Sequence, residues 1–209
     1  SYPAIGSVNA DIDPEQFSLH YSSVDDAAAM CVHFDSPSLA KLDLKDTYKH
    51  VSVHPSDWHL LGFQWGGSSD APRFYFSKVL NFGLRSAPAL FDIFASALAL
   101  FMTHEGVESS ICRHVDDFLV VAPSSVKCQL DLDCMLRTCR AAGFQVQPSK
   151  VTSPSSIVEF LGIIIDCCNW ELRISADRVG EIRAILSTWR NRKSGSKREL
   201  LSLIGKLAF

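Results

Sequence analysis

Three aspartates stand where aspartates are least expected. Asp116 and Asp117 lie side by side inside an apolar run, between Val115 and Phe118-Leu119-Val120-Val121. Asp43 sits between Leu42 and Leu44 at the end of a second apolar run, 73 residues upstream. Burying unpaired charge is costly, so adjacent carboxylates in such a setting must occupy a tight turn or face a cation. An isolated Asp-Asp pair is most often a plain exposed hairpin turn. The third acid in a matching setting is what argues for a site. If the two runs are neighbouring strands of one sheet, three carboxylates converge, and like charges a few ångströms apart need a counter-ion. An all-oxygen donor set suits Mg²⁺ or Mn²⁺ rather than zinc, with substrate phosphates and water as the remaining ligands.

Other chemistries fit less well. Asp43-Leu44-Lys45-Asp46 has i, i+3 spacing and is not the D-x-D of an aspartyl-phosphate phosphatase. There is no P-loop and no G-x-G-x-x-G, which weakens kinase, ATPase and dinucleotide readings. His50, His54 and His59 invite a zinc site, but the stretch alternates like a strand and has no matching Cys pair.

The elements that must position the acids can be read from periodicity. Residues 1 to 40 carry Pro3, Gly6, Pro14 and Pro37 and read as an irregular lead-in, with a short helix over Ser23 to Met30. Leu39 to Leu44 reads as a strand. Lys49 to His54 alternates strictly, which predicts a strand with Val51 and Val53 on one face and the histidines on the other. Leu60 to Trp65 and Arg73 to Phe76 flank Gly66-Gly67-Ser68-Ser69, a hairpin signature. Ser86 and Pro88 open a helix in which Leu90, Phe94, Leu98 and Phe101 repeat at helical spacing and form its core face. Ile111 to Ala122 reads as two short strands joined at the acids, and Ser125 to Ala142 as a helix ended by Gly143. Val158 to Asp166 reads as one buried strand pairing with Trp170 to Ile174. Val179, Ile182, Leu186 and Trp189 mark an amphipathic helix. Ser196 and Glu199 then form a capping box for a last one. This order predicts an α+β fold with helices packed on one face of an antiparallel sheet.

Composition agrees with a packed domain: 209 residues, 47% hydrophobic and 21% charged, ample for a sizeable core and against disorder or low-complexity fibres. No 18-residue run of uncharged apolar residues occurs, and no basic-then-apolar leader follows Ser1, which predicts an intracellular chain, in cytoplasm or nucleus. The missing initiator Met suggests a fragment or processed piece. Seven cysteines without a C-x-x-C pair argue for reduced thiols rather than a disulfide framework or zinc ribbon. The net charge of −3 hides an asymmetry, with seven acids against one base over residues 1 to 43 and nine bases against three acids over residues 173 to 209. Such a basic end is commonly just a solvated helix face, and it can also track a phosphate backbone.

At this point the motifs resemble those of reverse transcriptases. Lys41-Leu42-Asp43-Leu44-Lys45-Asp46-Thr47-Tyr48 resembles the first palm motif. Leu80-Asn81-Phe82-Gly83-Leu84-Arg85-Ser86-Ala87-Pro88-Ala89-Leu90-Phe91 resembles the second, in the form used by LTR-type and related retrotransposons. His114-Val115-Asp116-Asp117 is similar to the Tyr-x-Asp-Asp box, Gly143-Phe144 to Lys150 to the next motif, and Phe160-Leu161-Gly162 to the primer grip. All five follow in order and span essentially the whole chain. The texture of Val24-Asp25-Asp26-Ala27, His59 to Phe63 and Leu200 to Leu207 is similar to DIRS-like (tyrosine-recombinase) retrotransposons in particular.

The resemblance implies a right-handed polymerase palm. It divides the chain into a partial-fingers lead-in (1–40), a palm core with a fingers segment (41–157), and a primer-grip hairpin with the start of the thumb or connection (158–209). It implies RNA-directed DNA polymerase activity on a primed RNA or DNA template with deoxynucleoside triphosphates. Asp43 and Asp116 would chelate two Mg²⁺ ions, which activate the primer 3′-hydroxyl and hold the triphosphate and leaving pyrophosphate. Mn²⁺ is a possible substitute. Asp117 would be the supporting carboxylate. The Leu44 carbonyl and the Asp46–Thr47 backbone would lie against the triphosphate and its metal. Tyr48 would be the steric gate that excludes a ribose 2′-hydroxyl. Phe82 and Gly83 would pack on the incoming nucleotide and template, Arg85 would lie near the template, and Lys150 would be a general acid for pyrophosphate departure. Read without the resemblance, Tyr48 is an ordinary half-buried tyrosine, Lys150 an exposed loop lysine, and Phe82 and Phe91 core.

Two departures bear on activity. His114 replaces the usual Tyr, which affects primer positioning rather than metal binding. The fingertip Lys and Arg that clamp the triphosphate would lie upstream of residue 1, and an RNase H domain, with a recombinase domain in some relatives, downstream of residue 209. Without the clamp, nucleotide affinity should fall. A catalytically inactive or co-opted fragment that only binds nucleic acid is therefore the second reading, and a metal-dependent nuclease on the same acids the third.

Overall fold

The computed structural model describes residues 6–66 and 73–207. The chain forms two compact units, Ser1–Ser156 and Ile157–Phe209. In the first, a short helix α1 (Val8–Asp11) precedes α2 (Val24–Cys31), whose N-terminus is closed by a reciprocal capping box between Ser23 and Asp26. Strand β1 (Ser38–Asp43) follows, then the hairpin β2 (Gly62–Trp65) and β3 (Arg73–Phe76). The rest is α3 (Ala87–His104), β4 (Ser110–His114), β5 (Asp117–Ala122), α4 (Ser125–Ala141) and β6 (Thr152–Ser155).

The main sheet runs β4-β5-β1-β6, with each neighbouring pair antiparallel. Its central strands read as near-continuous apolar runs because both faces are covered. Ala40, Leu42, Phe118, Val120 and Ala122 pack against the long helices α3 and α4, while Leu39, Leu119 and Val121, which alternate with them, are equally buried. The short α2 packs against β4 and β5 on that second face, where Cys112 Sγ lies 3.9 Å from the Ser23 carbonyl. The two long helices thus share one face as the sequence predicts.

Helix α3 is, among the described residues, the one helix long and apolar enough to cross a membrane. Its Ala87, Phe91, Ala95, Leu98 and Met102 line the core, and Asp92 on its flank pairs with Arg113 of β4 at 2.6 Å. The predicted stripe is therefore rotated: Leu98 is core, but Phe94 and Phe101 are exposed. Both stripes satisfy helical spacing, and the buried side of α3 is the one that carries the small Ala87 and Ala95. Helix α4 ends in a Schellman turn, with Gly143 at φ 81° and Phe144 N–H donating to the Cys139 carbonyl at 2.8 Å. Cys112, Cys128, Cys134 and Cys139 are free thiols, and burial pushes the Cys139 thiol up to about 12.

Two sequence expectations change. Lys49 to His54 is not a strand: a 3₁₀ turn over Thr47–His50 leads to a single bridge, Ser52 to Val79. Val51 is nonetheless buried and His54 exposed, because a 3₁₀ turn followed by extended chain can keep the apolar side inward. Residues Leu60 and Leu61 belong to a second 3₁₀ turn, Pro55–Leu61, so β2 starts at Gly62. The predicted turn residues Gly67, Ser68 and Ser69 lie outside the described residues.

In the second unit, the single strand expected over Val158 to Asp166 is two. Strands β7 (Ile157–Phe160) and β8 (Ile163–Asp166) are joined by Leu161-Gly162, both at positive φ (51° and 80°). That is the signature of a two-residue primed hairpin turn. A leucine at positive φ is unfavourable locally, which is why the sequence hides the break. Strand β9 (Glu171–Ile174) pairs with β8, and helices α5 (Ala176–Trp189) and α6 (Lys197–Leu207) follow. The Ser196–Glu199 capping box is formed in both directions.

Candidate active site

The register of β1 on β5 sets Asp43 opposite Asp117. The β4–β5 hairpin closes at the His114–Asp117 pair, leaving Val115-Asp116 as its two-residue turn. Val115 is held at φ 55°, which for a β-branched residue costs about 1–2 kcal/mol. A backbone bond from Leu44 N–H to the Asp116 carbonyl, 3.0 Å, draws this strained turn onto the end of β1. One oxygen from each of Asp43, Asp116 and Asp117 then lies within 4.8 Å of the others, with Asp43 buried and the other two half-buried.

Each carboxylate has a different neighbour. The chain after α4 is stitched to the end of β1 by Lys45 N–H to the Gln145 carbonyl (2.8 Å) and Gln147 N–H to the Asp43 carbonyl (2.9 Å). This delivers Lys150, whose Nζ lies 2.7 Å from Asp43 Oδ2. The bond to Asp43 holds the Lys150 ammonium above its usual range. Thr47 donates its hydroxyl to Asp116 Oδ2 at 2.6 Å. Asp117 is pushed up chiefly by burial; Lys41, two residues before Asp43 on the same face of β1, opposes that, and the Asp43 and Asp116 charges add to it.

Tyr48 follows Thr47 in the same 3₁₀ turn and is half-buried. Its ring meets Phe82 edge-on at 4.8 Å and Phe91 at 6.0 Å, and its hydroxyl is raised by burial and then by the Asp116 charge. Phe82 is 74% exposed, so it is a surface ring, whereas Phe91 is core.

The donor set is all oxygen, convergent, and balanced only in part by nearby ammonium groups, which fits a hard divalent cation such as Mg²⁺. Among the described residues this triad is the group arranged to hold one. The histidines are not: His50 Nε2 faces the Lys45 carbonyl at 2.8 Å and His54 Nδ1 meets Ser56 at 2.8 Å.

Residues 5–165 match the family model described as reverse transcriptase (RNA-dependent DNA polymerase). The chain belongs to the reverse transcriptase family. Among curated relatives, it is 26% identical to Polyprotein P3 of Commelina yellow mottle virus over 134 residues, 64% of this chain. It is 27% identical to the Gag-Pol polyprotein of Gibbon ape leukemia virus over 127 residues, 59% of this chain. The matched regions span 7% of the length of each of these polyproteins. The fold matches foamy viral protease–reverse transcriptase solved with an RNA/DNA hybrid, at TM-score 0.64 and 19% identity over 81% of this chain and 20% of that one. A second structure of that enzyme, with double-stranded DNA, gives TM-score 0.62 at 19% identity over 81% and 32% of the two chains.

The remaining reverse transcriptase motif residues are placed as follows. Gly83 adopts φ 87°, a conformation that favours glycine, and its carbonyl accepts from Asn9 Nδ2 at 2.7 Å. Arg85 is not directed at the triad: its backbone N–H donates to Asn9 Oδ1 (2.8 Å) and its guanidinium to the Ile12 carbonyl (2.9 Å). Asp46, at φ 56°, spends its carboxylate on Lys49 at 2.7 Å, so only its backbone is available to a ligand. The Leu44 carbonyl lies 3.4 Å from the Thr47 hydroxyl, whose one proton goes to Asp116.

Three participants escaped the sequence reading. Lys41 was legible, since i, i+2 on a strand shares a face with Asp43. The Thr47 hydroxyl was noted only for its backbone. Tyr21 could not be found: its ring packs tilted at 43° against His114, 4.9 Å between ring centres, from 93 residues away. His114 Nδ1–H donates to the Ser22 carbonyl at 3.0 Å, because a carbonyl can only accept.

Proposed function

We propose that this chain is the catalytic palm of an RNA-directed DNA polymerase that extends a primer 3′-hydroxyl on an RNA or DNA template with deoxynucleoside triphosphates. The observation that carries the proposal is the convergence of Asp43, Asp116 and Asp117 within 4.8 Å on paired strands. Two Mg²⁺ ions, or Mn²⁺ in their place, would be held by Asp43 and Asp116, with the Leu44 carbonyl and Asp117 in support. When bound they supply charge neutralisation at the attacking and leaving oxygens. The Thr47 hydroxyl fixes one oxygen of Asp116 and leaves the other to face the site. Tyr48, wedged between Phe82 and Phe91, presents an unyielding ring edge to the sugar and selects against a 2′-hydroxyl. Phe82 offers its exposed face to a base. Lys150, kept protonated beside the acids, can hand a proton to the departing pyrophosphate.

The relatives and the solved neighbours, which hold RNA/DNA hybrid or double-stranded DNA, support a primed duplex as partner. In the second unit, Arg183, Arg190, Lys193, Lys197 and Arg198 form no ion pair among the described residues, which supports phosphate contacts. Motif texture supports a retrotransposon source of LTR or DIRS-like type, whose parent protein carries RNase H and, in the second case, recombinase domains.

The test is extension of a labelled oligo(dT) primer on poly(rA). Product that requires thymidine triphosphate and a divalent ion, and vanishes with EDTA, supports the polymerase. Cleavage without any nucleotide would indicate a nuclease instead.

A further inference from the structure

We infer that Lys150 is an exchangeable internal counter-ion of the carboxylate triad: its ammonium neutralises Asp43 in the metal-free chain, and a divalent cation must displace it. The inference rests on the metal-dependent reading of the site and concerns what the site does before metal arrives.

The two partners of the Lys150–Asp43 bond are unequally buried. Asp43 is 7% exposed and Lys150 59% exposed, with 2.7 Å between Nζ and Oδ2. Among the described residues no other side chain donates to the Asp43 carboxylate. Lys150 is therefore its one direct counter-charge. Asp116 and Asp117 also attract the same ammonium. Its backbone is anchored independently of the ion pair: Lys150 N–H donates to the Gln147 carbonyl (3.0 Å), and Gln147 N–H to the Asp43 carbonyl (2.9 Å). The turn Pro148–Lys150 stays beside β1 whether or not the ammonium is seated. The Lys150 stem and ammonium are open to water, so this end of the pair can swing away when another cation takes over the buried Asp43.

The consequence is a competition. A cation seated between Asp43 and Asp116 would take the charge position that Lys150 fills, and the released ammonium would remain tethered at the rim of the site. Lys150 thus lowers metal affinity in the free chain while steadying three repelling carboxylates. A residue that merely assisted metal binding, or packed the loop, would act in the opposite sense or not at all.

Mn²⁺ binding to the purified chain without nucleic acid tests this, read by loss of the free-Mn²⁺ electron paramagnetic resonance signal. Removing one positive charge several ångströms from a divalent ion in a water-facing site should tighten binding roughly tenfold in Lys150→Gln. Lys150→Arg, which keeps the charge, should stay near the parent value, and Asp43→Asn should bind most weakly. The rise in melting temperature at fixed Mn²⁺ should rank the variants in the same order. If Lys150→Gln binds Mn²⁺ no tighter than the parent while Asp43→Asn still loses it, the metal site stands and the counter-ion role is overturned. If the parent and Lys150→Gln both fail to bind Mn²⁺, the metal reading fails and the counter-ion role with it.

Discussion

Thr47→Val removes a hydroxyl that bonds a carboxylate of the aspartate triad while nearly preserving volume. The hydroxyl is buried, 2.6 Å from Asp116 Oδ2, with the Leu44 carbonyl 3.4 Å away. A hydrogen bond to a charged acceptor contributes about 1.5–3 kcal/mol, which is roughly 10- to 100-fold in rate if the whole of it is needed in the transition state. Asp116 is half-buried, so water can replace part of the bond, and the lower end applies: about a tenfold loss in kcat/KM for single-nucleotide addition. The assay is single-turnover extension by one nucleotide, run beside Thr47→Ser. Serine keeps the donor and loses only the methyl, so it should recover most of the rate. Parent-like activity in Thr47→Val would refute the positioning role. So would a Thr47→Ser variant as impaired as Thr47→Val, since the methyl would then be what matters.

Tyr48→Val opens the wall that Phe82 and Phe91 support, and should lower the preference for deoxy- over ribonucleotides by about tenfold or more, measured as the ratio of kcat/KM values for the two triphosphates. Asp117→Asn should raise the melting temperature of the metal-free chain at neutral pH. The sign follows from Asp117 lying above its ordinary 3.8: the folded state disfavours the ionised form, so the penalty is absent below that pH and fully present once pH exceeds the folded value. The gain should therefore disappear in melts taken at or below about pH 4.

The strands that carry the site were legible because short-range pattern and tertiary position agree there. Leu39 to Leu44 and Ile111 to Ala122 are apolar except where the acids must emerge, and the register places those acids together. The same holds for α4, with Gly143 at its end, and for the Ser196–Glu199 cap. Reading failed where two local patterns compete. Val51 and Val53 alternate as a strand would, yet a 3₁₀ turn serves the same inward side. Leu161 sits at positive φ against its own preference, so the β7–β8 turn looked like uninterrupted strand. In α3, Phe94 and Phe101 outrank Ala87 and Ala95 by hydrophobicity, yet it is the alanines that lie on the buried side. Tyr21 against His114 depends on how the lead-in crosses the sheet, which no local spacing encodes.

Nucleotidyl transfer by the three carboxylates is what everything proposed for this site depends on. The most direct measurement compares the parent chain with Asp116→Asn in primer extension on poly(rA)–oligo(dT) with Mg²⁺ or Mn²⁺, while salt-sensitive binding of the same primer–template is followed in parallel. Extension by the parent, its loss in Asp116→Asn, and duplex binding retained in both are expected. Binding by both chains with extension by neither would contradict nucleotidyl transfer, and would leave a folded palm that holds nucleic acid without chemistry.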